Sequence, residues 1–490
     1  MNLPELKNLK KEIQTKYENI PKVLFNPTFD LIFELVDCNE ILINIPKYSI
    51  YNHKATLIKN IKGFTIEIEG VKCNMEETYD IELLIGKNVF VVKNFSISKS
   101  STKLERNGEN KLFSVKLLSS GNIPQFAPKS KSNNNTYCRF VIPVEKSQIN
   151  YYIDTKRFQD ELFIYAFGKL SFSVDKNRLV LYEQKFRDKY YFVIDSVKPI
   201  NINLFSDICH SVMIGYGFLS ADFHQNEAFY LKSEHSNFES IIEISYLQLR
   251  PSIISHGTCN PIYSNPYGYS CDEKIIEKIG KQLEVFDSYL FSRLCTKLFK
   301  DSEYATLILI ILESNISSLI LRPAGYSVAL EKITNIIVEE NKGLKPIPDK
   351  SLSIEFRCKL IEVLESFKEK IDRIGNNDSM KILQKNIDRI NSPTNRDKLT
   401  KPFEIYKIVL TDKDINAIDN RNNFLHGRNI KIEEGSNEFL EIYQISLRLN
   451  KILNKLILKH IGYSGFMINH LKQNENSFDY KIEEELFEKI

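Results

Sequence analysis

Tryptophan is absent from the 490 residues, and neither sign of charge dominates. Sixty-six Lys and Arg stand against 63 Asp and Glu, a formal net charge of +3. A protein that coats nucleic acid through its general surface would be far more basic. Any contact with RNA must therefore run through a local site or a formed groove. The segment from Cys271 to Ile490 is neutral, so the small excess lies upstream. The missing Trp and the abundant Lys and Asn fit codon usage in an AT-rich genome better than a functional signal. Cysteine is sparse and scattered, at Cys38, Cys73, Cys138, Cys209, Cys259, Cys271, Cys295 and Cys358, with no CxxC. That pattern excludes a tight disulfide framework and predicts free thiols in a reduced, cytosolic setting. The N-terminus, Met1 to Lys7, has no secretory apolar run. The most apolar stretch, Ala305 to Leu321, carries Glu313 and Asn315 and predicts a buried helix rather than a membrane span. There is no phosphate-binding GxxxxGK[ST] loop, no HExxH, no kinase motif set and no GxSxG elbow. No repeat of solenoid period is present.

Strand-like segments dominate the first 200 residues. Phe64 to Glu69, Val89 to Val92, Lys111 to Leu117, Arg139 to Val144 and Tyr190 to Ile194 are rich in β-branched and aromatic residues. Their alternation, with a turn at Asn107-Gly108, predicts antiparallel sheet. Residues 1–20 read as a helix, and Lys129 to Asn135 as a polar loop. Residues 201–272 are mixed. In them Ile214-Gly215-Tyr216-Gly217-Phe218 predicts close packing, Asp222-Phe223-His224 a surface loop, and Cys259 to Cys271 a connector. From 273 the period becomes helical, with helices expected at 273–300, 302–322, 324–341, 351–374, 377–391, 411–426 and 437–461. The last is amphipathic, through Leu440, Ile442, Ile445, Leu449, Ile452 and Leu456, and stops at Gly462. The expected fold is α+β: a β-rich recognition or sensor region (1–200), a connecting region (201–272) and an all-α bundle (273–490).

Two constellations in the first part stay weak. His256-x2-Cys259, with Cys271 and His235, matches no zinc spacing. Phe163, Tyr165, Phe167, Phe172 and Tyr182, interleaved with Lys and Arg, would suit a nucleic-acid platform. Sheet core explains them more simply.

The chemistry-bearing segment is Arg421-Asn422-Asn423-Phe424-Leu425-His426-Gly427. Thr411 is a good N-cap, Asp412 and Asp414 suit the positive end of the helix dipole, and Gly427 suits a left-handed stop. At about 100° per residue, Ile415, Ile418 and Leu425 form an apolar stripe. Asn422 and His426 share a face within or beside it, and Arg421 flanks it. Polar groups there must be satisfied internally or must line a cleft or interface, since an unpaired buried one costs about 1–3 kcal/mol. Histidine titrates near neutrality and can move either proton of an RNA cleavage by the neighbouring 2′-hydroxyl. Arginine offers a fork to the phosphate oxygens, and Arg428 a second cation.

This string resembles the R-x4-H motif of HEPN domains. These are helical bundles that dimerise along the motif-bearing helices, and many are metal-independent ribonucleases. The resemblance is carried by the motif and extends over residues 273–475. A β-rich region ahead of such a domain is similar in architecture to ApeA-like antiphage proteins. The resemblance implies phosphate stabilisation by Arg421, acid–base work by His426 and support from Asn422. Glu313 is the candidate polar residue from an earlier helix. It implies no cofactor or metal, a homodimer or higher even-numbered oligomer, a tRNA-like substrate and a phage-derived trigger. HEPN toxins paired with nucleotidyltransferases often carry Tyr two positions after the His, where this chain has Arg428. A tyrosine switch is therefore not expected. The rival readings are a non-catalytic dimerisation or nucleotide-sensing module, and a small-ligand sensor in the β region.

Overall fold

The computed structural model describes residues 24–60, 63–71, 77–86, 88–107, 112–123, 125–129, 135–145, 149–158, 166–255, 259–269, 272–341, 345–375, 378–392, 395–425, 438–478 and 481–490. Some side chains inside these ranges, Asn422 among them, are not described. The chain is α+β, an antiparallel sheet region followed by helices. It forms two compact units, Met1–Asp301 and Ser302–Ile490.

The first unit holds α1 (Asn26–Asp37), then β1 (Glu40–Ile45), β2 (Ile50–Asn60), β3 (Gly63–Glu69), β4 (Tyr79–Ile85), β5 (Asn88–Phe95), β6 (Lys99–Asn107), β7 (Leu112–Ile123) and β8 (Gln125–Pro128). It continues with β9 (Tyr137–Val144), β10 (Lys156–Phe158), β11 (Ala166–Val174), β12 (Asn177–Phe186), β13 (Lys189–Ser196), α2 (Ile202–Ser220), β14 (Asp222–Phe223), β15 (Glu227–Ser233), β16 (Ile241–Gln248) and β17 (Ile253–Ile254). Two helices close it, α3 (Glu273–Gly280) and α4 (Ser288–Lys300).

Among the described residues one antiparallel sheet runs β10-β11-β12-β13-β9-β15-β16-β8-β5-β4-β1-β2-β3-β7-β6. Alternation explains its inner face: β3 buries Phe64, Ile66 and Ile68, and β4 buries Ile81, Leu83 and Ile85. The helix α1 adds Phe29, Ile32 and Leu35 to the same core. β7 pairs with β3, yet its continuation β8 pairs with β5, so the first eight strands curl back on themselves. Gly121 sits where a Cβ would come within 2.4 Å of the Ser96 carbonyl oxygen, which is what lets this curl close.

At the join of α1 with the sheet, the wholly buried Arg139 reaches Asp195 through Nε at 2.7 Å and Nη2 at 2.8 Å. Its Nη1 donates to the Leu24 carbonyl and to Thr28 Oγ1, both at 2.7 Å. The Phe25 and Phe238 rings lie over the guanidinium at 4.9 and 3.9 Å. Four of the five N–H donors are thus engaged, so the cation is tolerated in the core.

Several local expectations change. The stretch 273–300 is two helices, because Asp287 caps a new one by accepting from Leu290 N at 2.6 Å. Asp222-Phe223-His224 is not a surface loop: Phe223 and His224 are 2% and 4% exposed. Burial among Phe192 and Tyr216 pushes the His224 imidazole down to about 4. Gly215 lies in α2, where a Cβ would stand 3.0 Å from Cys295 Sγ of α4, so close helix packing is its role. Phe172 and Tyr182 are sheet core, and Phe163 and Tyr165 lie outside the described residues. The same holds for residues 1–20, Gly108 and Lys111, for 130–134, and for His256 and Cys271 of the zinc candidate. Its His235 is exposed beside Glu239, and Cys259 is buried.

The second unit begins with α5 (Ser302–Ile316) and α6 (Arg322–Glu340). These pack as a hairpin, with Gly325 against Ser314 and Tyr326 OH donating to Asn315 Oδ1 at 2.8 Å. Then come α7 (Lys350–Ser366), α8 (Lys368–Ile374) and α9 (Ser379–Asp388), none with a buried residue. The helix α10 (Asn395–Ile405) was unexpected, since Pro402 lies inside it. Next are α11 (Asp412–Leu425) and α12 (Glu438–His460), and β18 (Phe466–Ile468), α13 (His470–Gln473) and β19 (Phe487–Lys489) complete it. The hub is α6, which packs against α5, α10, α11 and α12. The last long helix departs from its amphipathic reading, for α12 is buried on every side from Ser446 to Leu458. Each Leu or Ile so buried contributes about 1.5–3 kcal/mol. Among the described residues no helix is long and apolar enough to cross a membrane.

Candidate functional site

The motif helix starts as its residues dictate. Asp414 N donates to Thr411 Oγ1 and Thr411 N to Asp414 Oδ2, both at 3.2 Å, a reciprocal cap that satisfies two of the helix's orphan donors. The face turned inward carries Asp414, Ala417, Ile418 and Arg421, spaced three and four apart. Arg421 therefore does not flank the buried stripe; it is part of it, and Ile415 is only half-buried.

Arg421 is 7% exposed, and its partner comes from α6. Nε donates to Glu331 Oε1 at 3.2 Å and Nη1 to the Ile418 carbonyl at 3.4 Å. Nη2 has no partner among the described residues. The guanidinium is thus fixed in orientation along one edge and keeps part of its donor fork uncommitted. Glu331 is half-exposed, so the pair sits at a rim rather than in a dry core. The outer face of α11 carries an amide ladder, Asn423 Nδ2 to Asn420 Oδ1 at 3.1 Å and Asn420 Nδ2 to Asn416 Oδ1 at 2.9 Å.

Of the residues singled out from sequence, Arg421 is located in full and Asn422 only as backbone within α11. His426 and Arg428 lie outside the described residues. Glu313 is exposed on α5, and no hydrogen bond or ion pair joins it to Arg421. The carboxylate that an earlier helix brings to Arg421 is Glu331, which helical periodicity alone did not single out.

The opposite end of α11 is anchored by a run of buried charges that sequence reasoning missed. Arg448 Nη1 lies 3.2 Å from Asp414 Oδ1 and 2.8 Å from Glu484 Oε1. Lys451 Nζ stands 3.1 Å from Asp414 Oδ1, 3.5 Å from Glu484 and 3.8 Å from Glu488. Lys455 pairs with Glu488. Asn469 Nδ2 bridges Glu484 at 3.2 Å and Glu488 at 2.8 Å. Three cations face three carboxylates, so the cluster closes on itself electrically. Burial alone would raise the Asp414 carboxyl, but Lys451, the Thr411 N–H and Arg448 outweigh it and hold it below its ordinary range. Glu484 is lowered in the same way, against burial, by Lys451 and Arg448. The signal was present as Arg448, Lys451 and Lys455, one turn apart on α12, with acidic residues at 484 and 488.

Among the described residues no group of three His, Cys, Asp or Glu could hold a metal ion. The chain matches no family model, no curated protein and no solved structure.

Proposed function

We propose that the helical unit is a metal-independent endoribonuclease of the HEPN type, and that the β-rich unit recognises a trigger or substrate. The observation that carries the reading is Arg421: a nearly buried guanidinium near the end of α11, oriented by Glu331 and the Ile418 carbonyl, with Nη2 unengaged among the described residues. A pre-oriented fork of this kind suits a phosphorane that carries two negative oxygens in the transition state. His426 follows Leu425 in the chain and supplies the group able to take the 2′-hydroxyl proton or to protonate the leaving 5′-oxygen. Asn422 assists, and Arg428 adds charge. One chain brings a single His of this motif, so two copies complete the acid–base pair in a homodimer. The products are a 2′,3′-cyclic phosphate and a 5′-hydroxyl. The substrate class is tRNA or another structured RNA, and the biological setting is abortive infection in bacterial antiphage defence, in the cytoplasm.

The test is cleavage of total tRNA in EDTA by the purified chain, alongside a growth assay on expression. Wild type yields fragments ending in cyclic phosphate, His426→Ala and Arg421→Ala lose at least about 100-fold, and both relieve slowed growth. Cleavage that survives His426→Ala, or that needs a divalent ion, sinks the reading.

The Arg421–Glu331 pair also favours a second reading. A motif arginine satisfied within its own unit suits a non-catalytic dimerisation or nucleotide-sensing module. Under that reading both variants leave growth and tRNA untouched, and Arg421→Ala lowers only the melting temperature.

A further inference from the structure

The β-rich unit contains a groove at the junction of the two halves of its sheet. β8 is only four residues long. It pairs with β16 through Phe126 and Gln125, and with β5 through Pro128 and Ala127. With so short a strand between them, β5 and β16 are bridged over two residue pairs on each side and are free to splay beyond. A cavity of about 790 Å³ opens there, within the range of small-molecule sites. A second cavity of about 480 Å³ adjoins it, and the two share Pro128, Lys129 and Glu243.

The lysines are concentrated in the larger lobe. The larger is walled by Lys93, Lys129 and Lys232, with Glu243 as the sole acidic residue among the described lining, and by Asn203 and Ser206 of α2. The smaller carries the apolar side chains of Leu31 of α1 and of Ile242 and Ile244 of β16 beside Asn88, Lys129 and Glu243. Lys232 is 6% exposed and bonds Glu243 at 2.8 Å. Lys129 reaches Glu82 at 2.7 Å, and Lys93 has no ion-pair partner among the described residues. Burying an ion pair is seldom the cheapest way to stabilise a sheet, and an apolar pair of similar volume does as well or better. The amides opening α2 are already met by the Asn201 side chain, which accepts from Asn203 N and Leu204 N. Anion recognition in this groove falls to the lysines.

We propose that the groove binds a small organic anion, with its phosphate or carboxylate among Lys93, Lys129 and Lys232 and its apolar body in the adjoining lobe. This site is independent of the ribonuclease reading and would stand if that reading fell.

Calorimetric titration of the full chain tests it with four probes: AMP and decanoate, and their bare head groups, inorganic phosphate and acetate. AMP or decanoate is expected to bind one site with Kd below about 100 μM, at least tenfold tighter than its own head group. The arm that binds tells phosphate from carboxylate. Lys93→Glu, an exposed change, weakens that binding at least tenfold, and Ser245→Trp, which fills the larger lobe, abolishes it. No saturation by any probe up to about 10 mM overturns the proposal. So does binding that is unchanged in both variants, which would place the ligand elsewhere. Equal affinity for AMP and phosphate, or for decanoate and acetate, overturns the two-lobe assignment.

Discussion

Three buried or half-buried carboxylates, two in the sheet unit and one in the helical unit, meet their charge in three ways. Glu183 of β12 faces no cation among the described residues: its Oε2 accepts from Ile149 N at 2.9 Å, and burial pushes its carboxyl up to about 7. Asp195 of β13 bonds one, Arg139, with the charge of Lys169 acting from beyond contact, in a site closed to water, and complete burial still raises its carboxyl against both. Asp414 of α11 faces two, Lys451 and Arg448, and is lowered. The series shows that one well-made hydrogen bond does not offset desolvation, that one bonded cation falls short in a dry site even with a second charge beyond contact, and that two in contact, with the Thr411 N–H, exceed it. The sheet unit thus carries carboxylates that cost stability when ionised. The helical unit carries one that stabilises when ionised.

The largest effect expected from this contrast is at Arg139. Arg139→Met leaves Asp195 buried without its partner and destabilises the sheet unit by about 3–5 kcal/mol in urea titrations. Adding Asp195→Leu should restore most of it. A double variant as weak as the single one would break the view that the pair is tolerated rather than stabilising. Asp414→Asn comes next, at about 1–3 kcal/mol, because Arg448 and Lys451 keep Glu484 and lose only one partner. The sign with pH follows from the lowered carboxyl. Its contribution is present above the ordinary aspartate value of 3.8 and is lost as pH falls further. Hydrogen exchange over residues 438–460 should accelerate near pH 3 in wild type, and Asp414→Asn should flatten that response. The smallest effect is at Glu183, with the opposite sign. Its carboxyl titrates near 7 when folded against 4.5 ordinarily, so its contribution is present below 4.5 and is lost as pH rises through 7. Glu183→Gln keeps an acceptor for Ile149 N, and because water reaches this half-buried side chain the gain at pH 8 is about 1–2 kcal/mol. No gain at pH 8 would place a cation near Glu183 and merge the first two cases.

What could be read in advance was local. The alternation of Phe64 to Glu69 became the buried face of β3, and Thr411 with Asp414 set the start of α11 where the cap pattern places it. The strand-to-helix switch near residue 273 is likewise written in the period of the apolar residues. What escaped was long-range. Arg448, Asp414 and Glu484 meet across 34 and 36 positions, and no window-based pattern links them. Helical phasing sets Arg421 on the flank, as suits a polar residue, yet Glu331, 90 positions earlier, lets it enter the buried stripe. Pro402 hid α10, whose Leu399 and Phe403 are core. The groove draws on strands at residues 91–93, 125–129, 230–232 and 243–247, so it exists only once the sheet is paired.

The all-round burial of α12 has a consequence for the order of events during synthesis. Its buried cations take their counter-charges from Asp414, made before the helix, and from Glu484 and Glu488, made after it. Until residues 484–488 have emerged, Lys451 and Lys455 carry charge that hydration satisfies better than a half-built bundle. The sheet unit, complete by Asp301, can fold while translation continues. The helical unit closes only afterwards, so whatever α11 presents comes into being once residues 484–488 have been made.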